Sequence, residues 1–280
     1  MMQREVPQIF DAHAQGLARV RAQRRMAKTG PSFLLERCTQ DAASRISDIN
    51  RQFTRGVLLC DVDMREKLFA ELPNNRRPNT MEWYQDADSL SGDYDLIISL
   101  LGLQSINDLP GNLLQIRNAL LPDGLFMGSL FGGDSLLHLR QTFYQIDQAL
   151  FGGATARIYP MINHEQAAAL LGQAGLNLPV IDKDRVNVNY SKIQTLINDL
   201  RDLGLTNTLI ARHKSRLPKS SISLIEAAYP KSATGKFQVL FEILWMTGWS
   251  PHDSQQKPLK PGSAKKGLAE SLREIRDKKP

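Results

Sequence analysis

Apolar and polar positions follow one another in runs that predict alternating helices and buried strands. Leu17 to Lys28 is rich in Ala, Arg and Gln and reads as a helix that stops at Thr29-Gly30-Pro31. Phe33 to Ile49 sets Phe33, Leu34, Cys38, Ala42, Ile46 and Ile49 at helical spacing, one buried stripe. Val57 to Cys60 is a short, fully apolar run suited to a strand covered on both faces. A short helix from Met64 to Leu72 ends at Pro73-Asn74-Asn75, and Met81 to Tyr84 reads as a second strand.

Asp95 to Leu101 is the clearest buried strand, entered through the turn Ser91-Gly92-Asp93. Leu113 to Leu121 is the expected crossover helix, and Pro122-Asp123-Gly124 turns into a strand from Leu125 to Phe131. This β-α-β alternation is that of a parallel sheet with right-handed crossovers. Helices are expected over Ser135 to Ala149 and Glu165 to Ala174, then strands at Val180 to Asp182 and Val186 to Tyr190. An amphipathic helix from Ile193 to Leu203, a helix beginning near 220 and a closing strand from Phe237 to Trp249 complete the pattern. Gln255 to Lys266, dominated by Pro, Gly, Lys and Ser, reads as an irregular arm. The organisation expected is a helical lead over residues 1–52, an α/β domain over 53–250 and a basic C-terminal arm over 251–280.

Charge alters this picture at the ends. Of the net charge of +6, residues 1–30 carry an excess of four positive charges and residues 251–280 another four, leaving the body mildly acidic. Such ends suit contact with an acidic protein or a membrane surface, or serve only to keep the chain soluble. No run of 18 apolar residues exists and no apolar stretch follows the first methionines, so neither a transmembrane helix nor a secretory signal is expected. A cytoplasmic protein is the expectation, with no nucleic-acid partner. Cys38 and Cys60 sit in apolar surroundings without metal-ligand spacing and read as reduced core thiols.

Candidate chemistry is sparse. Asp61 and Asp63 follow the first strand, where an acidic pair binds a metal or a ribose in some folds, but they lack a third ligand and read more simply as turn residues. Phe131-Gly-Gly-Asp134 precedes a helix and offers either an anion site, with Asp134 or Ser135 as cap, or a plain turn. Trp249, His252, Asp253 and Gln255 mix aromatic and charged groups as a partner contact does, or Trp249 simply pins the arm to the domain.

Two longer segments go beyond generic α/β chemistry: Asp95-Leu-Ile-Ile-Ser-Leu-Leu-Gly-Leu-Gln-Ser-Ile-Asn-Asp-Leu-Pro110 and Leu121-Pro-Asp-Gly-Leu-Phe-Met-Gly-Ser-Leu-Phe-Gly-Gly-Asp-Ser-Leu136. They resemble class I S-adenosylmethionine methyltransferases. Together with Val188-Asn-Tyr190, the run Met246-Thr-Gly-Trp-Ser-Pro-His-Asp-Ser-Gln255 and Pro261-Gly-Ser-Ala264, they resemble the respiratory complex I assembly factor 5 family. The resemblance implies a shortened Rossmann-like methyltransferase sheet with N-terminal helices and a C-terminal extension. It implies S-adenosylmethionine as cofactor, with Asp61, Asp86, Ala87 and Ser99 as the positions that would contact it, no metal, and a respiratory complex I subunit as protein partner. The family is associated with arginine hydroxylation of such a subunit rather than with methyl transfer.

In that fold a glycine-rich turn after the first strand lets the backbone approach the cofactor, and an acid ending the second strand holds the ribose. Here the turn reads Cys60-Asp-Val-Asp-Met-Arg65, without glycine, and only 34 positions separate Cys60 from Asp95. A βαβ unit takes roughly 30 residues, so with 81–84 read as the third strand of the family order, the second strand and its acid have no sequence left. The expectation is a methyltransferase-like protein with a degenerate cofactor site and a retained protein-binding role. An active S-adenosylmethionine-dependent or arginine-modifying enzyme, and a binding module for another ligand, are the alternatives.

Overall fold

The computed structural model describes residues 6–213 and 221–256. The sequence-predicted basic arm from residue 257 on, with Pro261-Gly-Ser-Ala264, lies outside the described residues. Among those described, six strands form one sheet in the order β2-β1-β3-β4-β6-β5. They are β1 (Arg55–Leu59), β2 (Thr80–Tyr84), β3 (Tyr94–Leu100), β4 (Leu120–Phe131), β5 (Asn177–Tyr190) and β6 (Phe237–Trp249). β1 pairs with β2 and β3 in parallel and β3 with β4 in parallel, while β6 runs antiparallel between β4 and β5. The helices are α1 (Ala12–Thr29), α2 (Phe33–Ser47), α3 (Arg65–Glu71), α4 (Leu109–Ala119), α5 (Leu137–Phe151), α6 (His164–Gln173), α7 (Ile193–Asp202) and α8 (Ser221–Ala228).

The period-2 alternation of strand residues divides the core in two. Leu96, Ile98 and Leu100 of β3 and Ile243 and Trp245 of β6 pack toward α2, α3, α5, α7 and α8. Ile97 of β3 and Leu244 and Met246 of β6 face the opposite way, toward α4 and α6. Both faces are covered, which is why these strands read as continuous apolar runs. This is the expected α/β class, with one strand rather than two outside β1 on that side of the sheet.

Where the elements depart from the sequence-based reading, local chemistry explains it. α1 begins five residues before Leu17 because the Asp11 carboxylate caps it, accepting from the Ala14 N–H at 3.0 Å. α4 starts at Leu109 rather than Leu113, with Asp108 accepting from the Gly111 N–H and Pro110 in the first turn. The two expected strands at 180–182 and 186–190 are one strand, β5. Its charged middle, Asp182-Lys-Asp-Arg185, belongs to an exposed edge, where Asp182 pairs with Arg45 and Asp184 with Arg37 of α2. Charged edge positions also discourage pairing with other chains.

One buried ion pair fixes the segment after α5. The Asp147 carboxylate is fully buried and accepts from Arg157 Nε at 2.8 Å and from the Thr155 hydroxyl. Burial acts to raise its pKa, but the Arg157 and Thr155 hydrogen bonds outweigh that and hold it below the usual carboxylate range. A depressed carboxylate contributes stability that is present above its unfolded pKa and is lost as pH falls through the folded one. Asp147→Asn strands the Arg157 guanidinium and should cost about 3–5 kcal/mol at neutral pH. Thermal unfolding followed from pH 7 to 3 checks this: the variant should lose less stability over the acid range than the wild type, and parallel curves would refute the assignment.

Candidate functional site

Ligands of open parallel sheets bind outside the carboxyl ends of the strands, where the connections diverge to either side. In this molecule that place is the crevice between the ends of β1 and β3, and it is filled by the chain itself. The turn after β1 places the Asp61 carboxylate at its mouth and buries Val62 in the core. No residue from Cys60 to Arg65 takes a positive φ, so the turn needs no glycine, and the Val62 side chain packs into the core. Asp63 accepts from the Arg65 N–H and pairs with its guanidinium, holding the start of α3. No cluster of metal-ligating side chains occurs among the described residues.

α1 lies across the crevice. Arg19 Nε reaches Asp61 Oδ1 at 2.7 Å, and Arg19 Nη1 stands 3.9 Å from Asp86 Oδ2. Gln23 Nε2 donates to the Asp61 carbonyl at 3.0 Å, Gln15 Nε2 to the Ser105 carbonyl at 2.6 Å, and Trp83 Nε1 to the Cys60 carbonyl at 2.9 Å. Burial pushes the Asp61 pKa up, Arg19 pulls it down, and the neighbouring Asp86 adds to the upward push, with the net effect upward. Ala22 of α1 and Leu203 pack behind Arg19 against Cys60 and Leu101. Among the described residues, one void of about 10 Å³ lies beside Arg19 and Tyr159 and another of about 10 Å³ beside Val62 and Leu203. Each is about the space of a single water.

The four expected contact residues therefore divide. Asp61 and Asp86 come together, on one guanidinium. Ala87 is buried in the α4-side core, and Ser99 is buried within β3 between Leu59 of β1 and Gly128 of β4. The place beside β1 is not empty, as the spacing argument required. Thr80–Tyr84 pairs directly with β1, from Arg55 opposite Thr80 to Leu59 opposite Tyr84, so it stands second from the switch point and the outer strand is the one missing from the described sheet. Asp86 follows that strand. S-adenosylmethionine does not fit this arrangement: small-molecule sites measure about 300–1,000 Å³, and here the space is taken by Arg19, Ala22, Val62 and Leu203, with Arg19 on both carboxylates.

The family-like motifs hold the fold around this closed crevice. Asn107 Oδ1 accepts from the Ile9 and Phe10 N–H groups, and Asn107 Nδ2 donates to the Phe10 carbonyl, tying the N-terminal segment down before α1. At Phe131-Gly-Gly-Asp134 neither expected cap forms. Leu136 stands before α5 in the left-handed region without a side-chain cap, Asp134 pairs with Arg185, and the Ser135 hydroxyl donates to the Glu242 carbonyl. Gly132 donates its N–H to the same carbonyl, and a Cβ there would collide with the Glu242 carboxylate, so this turn is welded to β6 rather than open to an anion. Met246 to Trp249 is the last part of β6, Trp249 lying under the Arg51 guanidinium at 5.8 Å. Beyond it, Ser250 exchanges backbone hydrogen bonds with Asp123 and Gly124, and Gln255 Nε2 donates to Asp123 Oδ1. The run reads structurally as a clasp on the β4 turn. Sequence reasoning missed Arg19, Gln23 and Tyr159.

No family profile matches the chain. Among curated proteins, the arginine hydroxylase NDUFAF5 of Danio rerio is 38% identical over 180 residues, covering 63% of this chain and 56% of its own. That of Homo sapiens is 31% identical over 280 residues, covering 91% of this chain and 81% of its own. The malonyl-[acyl-carrier protein] O-methyltransferase of Xylella fastidiosa is 34% identical over 173 residues, covering 60% of this chain and 57% of its own. The chain thus spans about half the length of the first relatives it matches, 56% in Danio rerio and 41% in Dictyostelium discoideum. Among solved structures, the [4+2]-cyclase SpnF superposes with a TM-score of 0.47 at 13% identity over 89% of this chain.

Proposed function

The chain belongs to the family of the arginine hydroxylase NDUFAF5, and from that premise we propose that this methyltransferase-like protein acts by binding a protein partner, with its cofactor crevice closed by α1. The observation that carries the reading is Arg19 seated between Asp61 and Asp86, with about 10 Å³ left open beside it. A bound S-adenosylmethionine would have to expel Arg19 and Gln23 and break their hydrogen bonds before gaining any of its own. As the family resemblance implies, we take a respiratory complex I subunit as the partner. No described helix is long and apolar enough to cross a membrane; we propose a cytoplasmic protein with any membrane contact at its surface. The Arg-rich α1 and the charged chain ends suit such a contact. We also place the α/β domain at residues 53–250, with 1–52 as its lead and 251–280 as a basic arm.

The alternative is an active transferase or arginine-modifying enzyme acting on a protein substrate, which requires α1 to leave the crevice. Capture of the partner from an extract of respiratory membranes separates the two. Under the binding reading the tagged full chain recovers the same protein in the same yield with or without added S-adenosylmethionine, and the partner's arginines emerge unchanged in mass. Recovery that depends on the cofactor, or a mass gain on a partner arginine, would overturn it.

A further inference from the structure

Away from the closed crevice, the molecule holds a space with the dimensions of a ligand site. Between α5, α7 and α8 lies a cavity of about 400 Å³ whose walls include Leu139, Phe143, Ile193, Ile197 and Ile225. Protein interiors are packed nearly as densely as organic crystals, and an apolar space of this size falls in the range of small-molecule sites. Its polar lining is mostly committed. Arg157 is held by Asp147, Asn207 donates to the Ala156 carbonyl and accepts from the Leu209 N–H, and Gln194 donates to Asn198. Two groups differ. Ser221 lines the cavity, is 2% exposed, and its hydroxyl has no hydrogen-bond partner among the described residues. Arg201, also on the wall, reaches Asn198 Oδ1 only at 3.5 Å.

A buried hydroxyl is normally paired, and a loosely held guanidinium near an apolar space favours an anionic head on an apolar body. We propose that this cavity binds a medium-chain fatty carboxylate, its chain between α5, α7 and α8 and its carboxylate accepting from the Ser221 hydroxyl and drawn to Arg201. The site involves neither Arg19, Asp61 nor Asp86, so it stands or falls separately from the closed crevice.

The test is calorimetric titration of the full chain with decanoate and, for comparison, with decyltrimethylammonium, which has the same chain length and the opposite charge. One saturable decanoate site is expected, with the cation at least tenfold weaker. Ser221→Ala should weaken decanoate about fivefold to tenfold, and Ile197→Trp, which fills the space, should abolish binding. Should Ile197→Trp fail to melt cooperatively, Ile222→Trp at the rim takes its place. The absence of saturable binding, equal affinity for the two head groups, an unchanged Ser221→Ala titration, or full binding by a folded tryptophan variant would each overturn the assignment.

Discussion

A chain ending at Thr247 should lose the folded state or melt at least about 10 °C below the intact protein. If Trp249, His252, Asp253 and Gln255 formed only a partner contact, the cut would leave the melting temperature nearly unchanged. The strand register decides otherwise. Gly248 and Trp249 pair with Phe126 and Leu125 of β4, and Trp249 also stands opposite Asn177 of β5, so the cut frays β6 between its two neighbours. It also removes Ser250, whose two backbone hydrogen bonds hold Asp123 and Gly124, and Gln255, which holds Asp123 and Asn177. Removing a half-buried tryptophan costs about 2–3 kcal/mol and each lost hydrogen bond about 1 kcal/mol. The sum approaches the 5–15 kcal/mol that stabilises a typical domain, and each kcal/mol moves the midpoint by roughly 2–4 °C at this size. A chain ending at Gln256 keeps every one of these contacts and serves as the reference in thermal melting. A chain ending at Thr247 that melts within about 2 °C of that reference would show that the register of β6 is wrong.

Much of this fold was legible because buried strands announce themselves. Asp95 to Leu101 and Phe237 to Trp249 are apolar on both faces, and the structure puts each in the interior of the sheet. The edge strand β5 was legible only in fragments, since its charged positions are satisfied by Arg37 and Arg45 from a helix more than 100 residues earlier in the chain. The resemblance located the candidate crevice through Asp61 and Asp86, which the structure brings to one guanidinium.

The occupant of the crevice was not legible. α1 inverts the usual rule: it buries Ala18 and Ala22 while leaving Leu17 and Val20 about two-fifths exposed, at 43% and 42%. Small residues on that face allow the helix to approach the strand ends closely enough for Arg19 and Gln23 to reach them. A pattern search that weights large apolar side chains assigns this helix the wrong face, and its arginines look like ordinary solvated charge. The strand at 80–84 illustrates another limit. Sequence spacing says that one βα unit is missing, but only pairing shows which place in the sheet is filled.

The closed crevice predicts that S-adenosylmethionine finds no site in the intact protein. Arg19 neutralises both carboxylates that could meet it, Gln23 and Trp83 occupy the carbonyls of Asp61 and Cys60, and Val62 and Leu203 fill the volume behind them. Each pre-empted polar interaction removes about 1–3 kcal/mol from what an open site would offer, enough together to carry a micromolar affinity beyond the millimolar range. Replacing Asp63 by glycine should not restore binding, because neither Arg19 nor Val62 moves. The direct test is isothermal titration of S-adenosylmethionine into the full-length chain at high protein concentration: the closed crevice predicts no saturable heat up to about 1 mM ligand, and a one-site isotherm of low-micromolar affinity would contradict it.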